Sequence, residues 1–211
     1  MSGAAMSFYE NHVLPHMIDC ACGSPLIMKE RSRIVPRASG TVLEVGMGSG
    51  TNLQFYDGQR VDLVYGLEPS EGMRRKAAGN LARSCVPVEW LDLPGETIPL
   101  DENTVDTVLL TFTLCTIPDW RAALTEMRRV LRPNGTLLFC EHGRAPEPRV
   151  QRWQDRLTPA WKKIAGGCHL NRPIDELLTE GGFRITEMDT HFLDKTPKFV
   201  GYIYSGEAVP A

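Results

Sequence analysis

The sequence predicts an α/β domain built on a mainly parallel sheet that finishes in an antiparallel hairpin. From Thr41 onward, short β-rich apolar runs alternate with amphipathic stretches, the order that joins parallel strands through helical crossovers. The first run, Val42-Leu43-Glu44-Val45, passes directly into glycines at 46, 48 and 50, as a strand entering a tight loop does. Two closing runs are separated by Asp194-Lys195-Thr196-Pro197, which reads as a hairpin at the far edge of the sheet.

The strands expected in the alternating unit are 41–45, 61–67, 86–91, 105–112 and 136–140, and those of the hairpin are 183–190 and 199–204. Ser70 can cap a helix running to about Ala82. Asp119 can cap another, in which Leu124, Met127, Val130 and Leu131 recur at helical spacing, and Asn134-Gly135 is expected to end it in a left-handed cap. Loop material from Gly143 to Pro148 leads to a helix carrying Trp153, Leu157 and Trp161, and a later helix starts near Pro173, where a missing amide proton costs nothing. Ahead of the alternating unit, residues 7–21 and 26–35 read as two helices.

A chain of 211 residues is one domain of generous size, since a core usually serves ~100–200 residues. Hydrophobic residues make up 42% and charged residues 23%, enough apolar material for a core, which excludes disorder and collagen. Net charge is −3 with no basic run able to track a phosphate backbone, so nucleic acid is not expected as a partner. No apolar stretch approaches the ~20 residues that span a bilayer, and the first residues do not read as an export signal. Six cysteines in a chain of this size suit a reducing cytoplasm.

Glycine belongs where the backbone takes positive φ or where a ligand lies against it, so the loop Gly46-Met47-Gly48-Ser49-Gly50 is a ligand platform. A dinucleotide fingerprint, G-x-G-x-x-G, would need glycine at Thr51. This mismatch disfavours a nicotinamide-dependent oxidoreductase. Glu44, expected at the loop's mouth, would repel a pyrophosphate and attract an ammonium group. Glu68, closing the second strand, can accept both hydroxyls of a ribose. A nucleoside with a cationic tail fits both acids, and S-adenosylmethionine answers that description.

The ordered set VLEVGMGSGTN, GLEPSEGM, GETIPLDENTVD and VLRPNGTLLF resembles class I S-adenosylmethionine-dependent methyltransferases of the small ubiquinone-biosynthesis-like type. The resemblance implies a Rossmann-like, seven-stranded, mostly parallel sheet with helices on both faces. It divides the single domain into an N-terminal helical cap (1–39), a cofactor-binding core (40–142), substrate-side helices (143–182) and the hairpin (183–211). Glu44, Gly46, Gly48, Gly50 and Asn52 would then surround the methionyl end, and Glu68 would hold the ribose. Pro69 and Met73 would lie along the adenine, Gly95 and Glu96 would face its amino edge, and the stretch from Thr111 to Cys115 would pass beneath the sulfonium. Further on, FCEHGRAPEP, Trp153, Pro159-Ala160-Trp161-Lys162, Gly166-Gly167-Cys168 and Arg172 resemble the methyltransferase-like 7, or thiol S-methyltransferase, group. That group implies S-methylation of small thiols. Methylation of a quinone, a phospholipid or another amine or hydroxyl is the alternative, and a cofactor-binding sensor or scaffold without turnover is a third reading.

Glu141 and His142 end the fifth strand, where open α/β sheets bind ligands, and are the candidate catalytic pair; a histidine pKa near ~6.5 suits a base. A thiol with a pKa near ~8.5 already supplies some thiolate, so no base is obligatory. Trp153, Trp161 and His169 are candidate substrate-binding residues, with the tryptophans roofing an apolar, water-excluding pocket. No metal is expected at this site. His12, His16 and Cys20, with Cys22 beyond, have a spacing that can line one helix face for zinc, although Pro15 would disturb it. The default for that segment is an amphipathic helix covering the cofactor or resting on a membrane surface.

Overall fold

A computed structural model describes residues 14–211 of the chain. Two helices, α1 (Leu14–Cys22) and α2 (Pro25–Ile34), precede the sheet, and a 3₁₀ turn at Val35–Arg37 leads into β1 (Gly40–Val45). Then come β2 (Val61–Leu67), α3 (Glu71–Leu81), β3 (Val88–Leu91), β4 (Val105–Thr111), α4 (Trp120–Val130) and β5 (Leu131–His142). The chain closes with α5 (Pro148–Ile164), α6 (Ile174–Glu180), β6 (Phe183–Phe192) and β7 (Tyr202–Pro210). The seven strands lie in the order β3-β2-β1-β4-β5-β7-β6. Strands β1 to β5 pair in parallel, whereas β7 runs antiparallel to both β5 and β6.

The sheet winds outward in both directions from the contact between β1 and β4. At this switch in strand order, the connections leave in opposite directions and open a crevice beyond the carboxyl ends of the strands. Strand alternation divides the core. Leu43, Val45, Leu110 and Phe139 point to one face, where Leu124 and Met127 of α4 and Leu177 and Leu178 of α6 cover them. Val42, Leu109 and Leu138 point to the other, beneath Ile34, Val35, Leu53 and Tyr56. Helices on both faces explain why the central strands carry buried apolar residues on both sides.

Capping agrees closely with the sequence: the Ser70 hydroxyl accepts from the Met73 amide (3.3 Å) and the Asp119 carboxylate from that of Ala122 (3.0 Å). The end of α4 differs. Leu131 is already extended (φ −75°, ψ 132°), and Asn134-Gly135 lies inside β5 instead of in a left-handed cap. Gly135 is needed there for close approach, since a β-carbon would stand 2.6 Å from Leu131 Cδ1 and 2.9 Å from the Asp106 carbonyl. β3 starts two residues later than expected, after a turn in which Ser84 Oγ donates to the Val86 carbonyl. β4 stops at Thr111 because Phe112 takes positive φ (57°). β7 starts later than expected because Val200 and Gly201 turn back onto the Pro197 carbonyl, and it then continues to Pro210.

On α5 the buried positions are Gln154 and Thr158, while Trp153 is 53% exposed. Eight residues of α-helix turn through about 80° beyond two full rotations, so Trp153 and Trp161 point in different directions and do not together roof a pocket. No helix among the described residues is long and apolar enough to cross a membrane.

Candidate active site

At the end of β1 the backbone takes positive φ at Gly46 (70°), Gly48 (59°) and Gly50 (70°), three left-handed residues at alternate positions. A β-carbon on Gly46 would collide with the Thr113 side chain, and one on Gly48 would stand 3.2 Å from the Met73 methyl. The loop is tied to the neighbouring strand: the Gly46 amide donates to the Leu67 carbonyl (2.8 Å) and the Gly48 amide to Glu68 Oε2 (3.0 Å). Glu68 Oε1 accepts from the Ser70 amide (2.8 Å). Burial raises the Glu68 carboxyl above the ordinary range, and the Ser70 and Gly48 amides offset part of that rise. Pro69 is exposed at the rim, and Met73 is buried behind Gly48. From α1, Asp19 reaches the loop and accepts from Ser49 Oγ at 2.5 Å.

Glu44 lies beneath this loop instead of at its mouth. The residue is 1% exposed; Oε1 accepts from Asn52 Nδ2 (2.9 Å) and Oε2 from the Tyr56 hydroxyl (2.6 Å). Asn52 Oδ1 accepts in turn from the Arg31 guanidinium (2.9 Å), and Thr111 Oγ1 accepts from both Arg31 (2.6 Å) and Asn52 (2.9 Å). Burial pushes the Glu44 carboxyl up to about 7 despite Tyr56, Arg31 and Asn52. The sequence does not point to Arg31 or Tyr56. The partners of Arg31 lie 21 and 80 residues away, and neither residue belongs to a motif that could mark it.

Beyond β4 the chain turns at Phe112, and Glu141 fastens the next two residues: its Oε1 accepts from the amides of Thr113 (2.7 Å) and Leu114 (2.9 Å). Arg172, also buried, donates to the carbonyls of Leu114 and Ile117. Thr113 Oγ1 stands 3.5 Å from the Gly46 carbonyl, so this segment borders the glycine loop. Glycines 166 and 167, both at positive φ, let the loop after α5 fold back, and His169 meets the Cys115 carbonyl through its amide (2.9 Å) and Nδ1 (3.1 Å). Cys168 therefore arrives beside His142, with Sγ 3.1 Å from Nε2. The donor atoms of Cys115, His142 and Cys168 all lie within 4.8 Å of one another.

Hydrogen bonding from Cys168 first, then His142 and Thr116, holds the Cys115 thiol well below its usual range against the opposing effect of burial. Cys168, as donor, is pushed up. Burial disfavours a charged His142, but Cys115 and Glu141 outweigh it and the histidine is raised. Burial and the Cys115 charge bring Glu141 up to about 8. Burial and the Arg172 charge lower His169.

The structure thus brings Cys115, Glu141, His142 and His169 together, and the buried Trp161 indole nitrogen lies by Cys168. Trp153 is not part of this group; its ring lies on the exposed surface with the Arg156 guanidinium 6.0 Å from its centre. Gly95 is buried, and a β-carbon there would stand 3.4 Å from both Val45 and Ile117. Glu96 accepts from the Asp119 amide (3.3 Å) at the start of α4. The N-terminal zinc group does not assemble among the described residues. His12 lies outside them, His16 and Cys20 are exposed, and Cys22 meets Arg31. In the sequence Cys168 reads as a lone loop residue, because only the fold over Cys115 gives it partners.

Residues 43–139 match the family model described as a methyltransferase domain. The chain is 36% identical over 159 residues to human thiol S-methyltransferase TMT1B, an alignment covering 72% of this chain and 64% of that protein. It spans less than two thirds of the length of such curated relatives. Among solved structures, a SAM-dependent methyltransferase from Leishmania major superposes with a TM-score of 0.69 at 17% identity, covering 98% of this chain and 82% of the other. The [4+2]-cyclase SpnF gives the same TM-score at 14% identity, covering 98% and 95%, so the fold by itself does not name the reaction. Family match and strand order agree on a methyltransferase domain at residues 43–139, set in a seven-stranded sheet.

Proposed function

We propose that the protein uses S-adenosylmethionine to S-methylate a small, fairly apolar thiol. The observation that carries this reading is the cradle at the β1–β4 crevice, where left-handed glycines without β-carbons meet the buried carboxylate of Glu68. That arrangement fits a nucleoside ligand: bare backbone allows close approach, and a carboxylate with two oxygens can take two ribose hydroxyls. The thiol is drawn from the likeness to TMT1B and from the ease with which sulfur acts as an acceptor.

When bound, S-adenosylmethionine supplies a methyl group on a sulfonium. Glu68 would receive the ribose, and the glycine loop, with Glu44 and Asn52 as its floor, would hold the methionyl end. Met73 and Pro69 would line the adenine, Gly95 and Glu96 its amino edge, and the segment from Thr111 to Cys115 would border the sulfonium. On the acceptor side Trp161 and His169 exclude water, which favours an in-line displacement whose main demand is alignment. Glu141 holds the 113–114 amides, while His142, with Nε2 facing Cys168, borders the acceptor side. All six cysteines are free, in keeping with the reducing cytoplasm as its compartment.

Incubation with methyl-labelled cofactor against thiols, phenols, quinols and amines, read by mass spectrometry, tests the reading. Methyl thioethers are the expected products. Products from oxygen, nitrogen or carbon acceptors alone would move the assignment to the quinone-type alternative, and tight cofactor binding without any product would make the protein a binding module.

A further inference from the structure

We propose that Cys115, His142 and Cys168 hold a zinc ion whose open fourth position takes the acceptor thiol as thiolate. This deepens the thiol methyltransferase reading and rests on it for the identity of the fourth ligand. Two thiolates and one imidazole form a donor set suited to zinc, and three protein ligands with one vacant position are the arrangement of catalytic zinc sites. Zn–S bonds near ~2.3 Å and Zn–N bonds near ~2.0 Å place tetrahedral donors roughly 3.5–3.8 Å apart. The three donor atoms here are already within 4.8 Å of one another, with Nε2 and the Cys168 sulfur at 3.1 Å.

The three ligands come from separate segments, and each segment is independently held. Glu141 and Arg172 fix the backbone around Cys115. β5 is paired with β4 up to Cys140 and with β7 to its end, where His142 lies opposite Ile203. The loop bearing Cys168 is closed by the Gly167 amide on the Lys162 carbonyl (2.9 Å) and by His169 on the Cys115 carbonyl. Cys115 and His142 are buried, Cys168 is half-buried, and Thr113 connects the group to Gly46 of the cofactor cradle.

Coordination of R–SH releases its proton to solvent and leaves a metal-held thiolate. An electron pair of that sulfur forms the new S–CH₃ bond as the sulfonium C–S bond breaks, and the latter's electrons remain on the departing thioether. No oxidant or reductant is required. The methylated product is a neutral thioether, a weaker ligand than the thiolate, and gives way to the next thiol.

The 211-residue chain, purified without chelators, is expected to carry about one zinc by elemental mass spectrometry. Its cobalt-substituted form should show sulfur-to-metal charge transfer and tetrahedral d–d bands that shift when 2-mercaptoethanol is added. Cys168→Ser and His142→Ala should each weaken metal binding by at least about tenfold, with circular dichroism and S-adenosylhomocysteine affinity retained; Cys20→Ser and Cys85→Ser should keep the metal. Absence of zinc together with a featureless cobalt spectrum would overturn the proposal, as would loss of metal in Cys20→Ser or a cobalt spectrum indifferent to thiol. Thiol methylation by metal-free protein would overturn the site while sparing the proposed activity. A thiol-responsive metal centre in a protein that methylates no thiol would uphold the site and remove the activity.

Discussion

Glu68 holds the Gly48 and Ser70 amides before any ligand arrives, so its substitution acts on both the cradle and the ribose. Glu68→Ala is expected to weaken S-adenosylhomocysteine binding by roughly 1.5–3 kcal/mol, the worth of hydrogen bonds to a charged group, which calorimetry reads as about 10- to 150-fold. An affinity unchanged within about twofold would remove the ribose assignment. Glu68 and the three glycines are legible in the sequence because their requirement is local: positive φ, bare backbone, and an acid at the end of an apolar run. Arg31 and Tyr56 are not, because their bonds reach across the fold, from Arg31 on a helix to Thr111 80 residues away and from Tyr56 to Glu44 beneath the loop. Cys168 is invisible as a cluster member for the same reason. Its meaning comes from His142 and Cys115, which the glycine-rich loop brings to it.

Among the elements, the starts of the side-chain-capped helices and strands β1, β2 and β4 are predicted nearly to the residue, since hydrophobic periodicity and caps are local signals. Asn134-Gly135 marks the limit. The same dipeptide serves a left-handed cap or a tight strand approach, and only the Asp106 carbonyl on the neighbouring strand decides between them. Helix α2 reads in the sequence as an addition outside the alternating unit, yet Arg31 joins it to the floor of the crevice through Asn52 and Thr111. Arg31→Met keeps helix propensity and much of the side-chain bulk while leaving two buried acceptors without that donor. The expected cost is at least about 2 kcal/mol in denaturant unfolding, with weaker cofactor binding because Asn52 loses one anchor. If stability is unaltered and affinity falls, Arg31 acts on the ligand directly and the structural bridge is not its role.

For the molecule as a whole, Glu44 makes stability depend on pH. Burial takes its carboxyl from 4.5 to about 7, so between those values the folded chain holds a proton that the unfolded chain has released. The sign is therefore fixed: this group's contribution is fully present below about pH 4.5 and is lost as pH rises through about 7. The corresponding free energy is about 3 kcal/mol at most. Glu44→Gln cannot titrate, so the difference in unfolding free energy between the native chain and this variant should shift against the native chain by about 2–3 kcal/mol between about pH 5 and about pH 8. Glu141, up to about 8, contributes in the same direction to both proteins and cancels in that difference. Parallel profiles would mean that Arg31 holds Glu44 charged throughout. The floor of the cradle would then be a fixed anion across the working range, able to attract a ligand ammonium at every pH instead of only above neutrality.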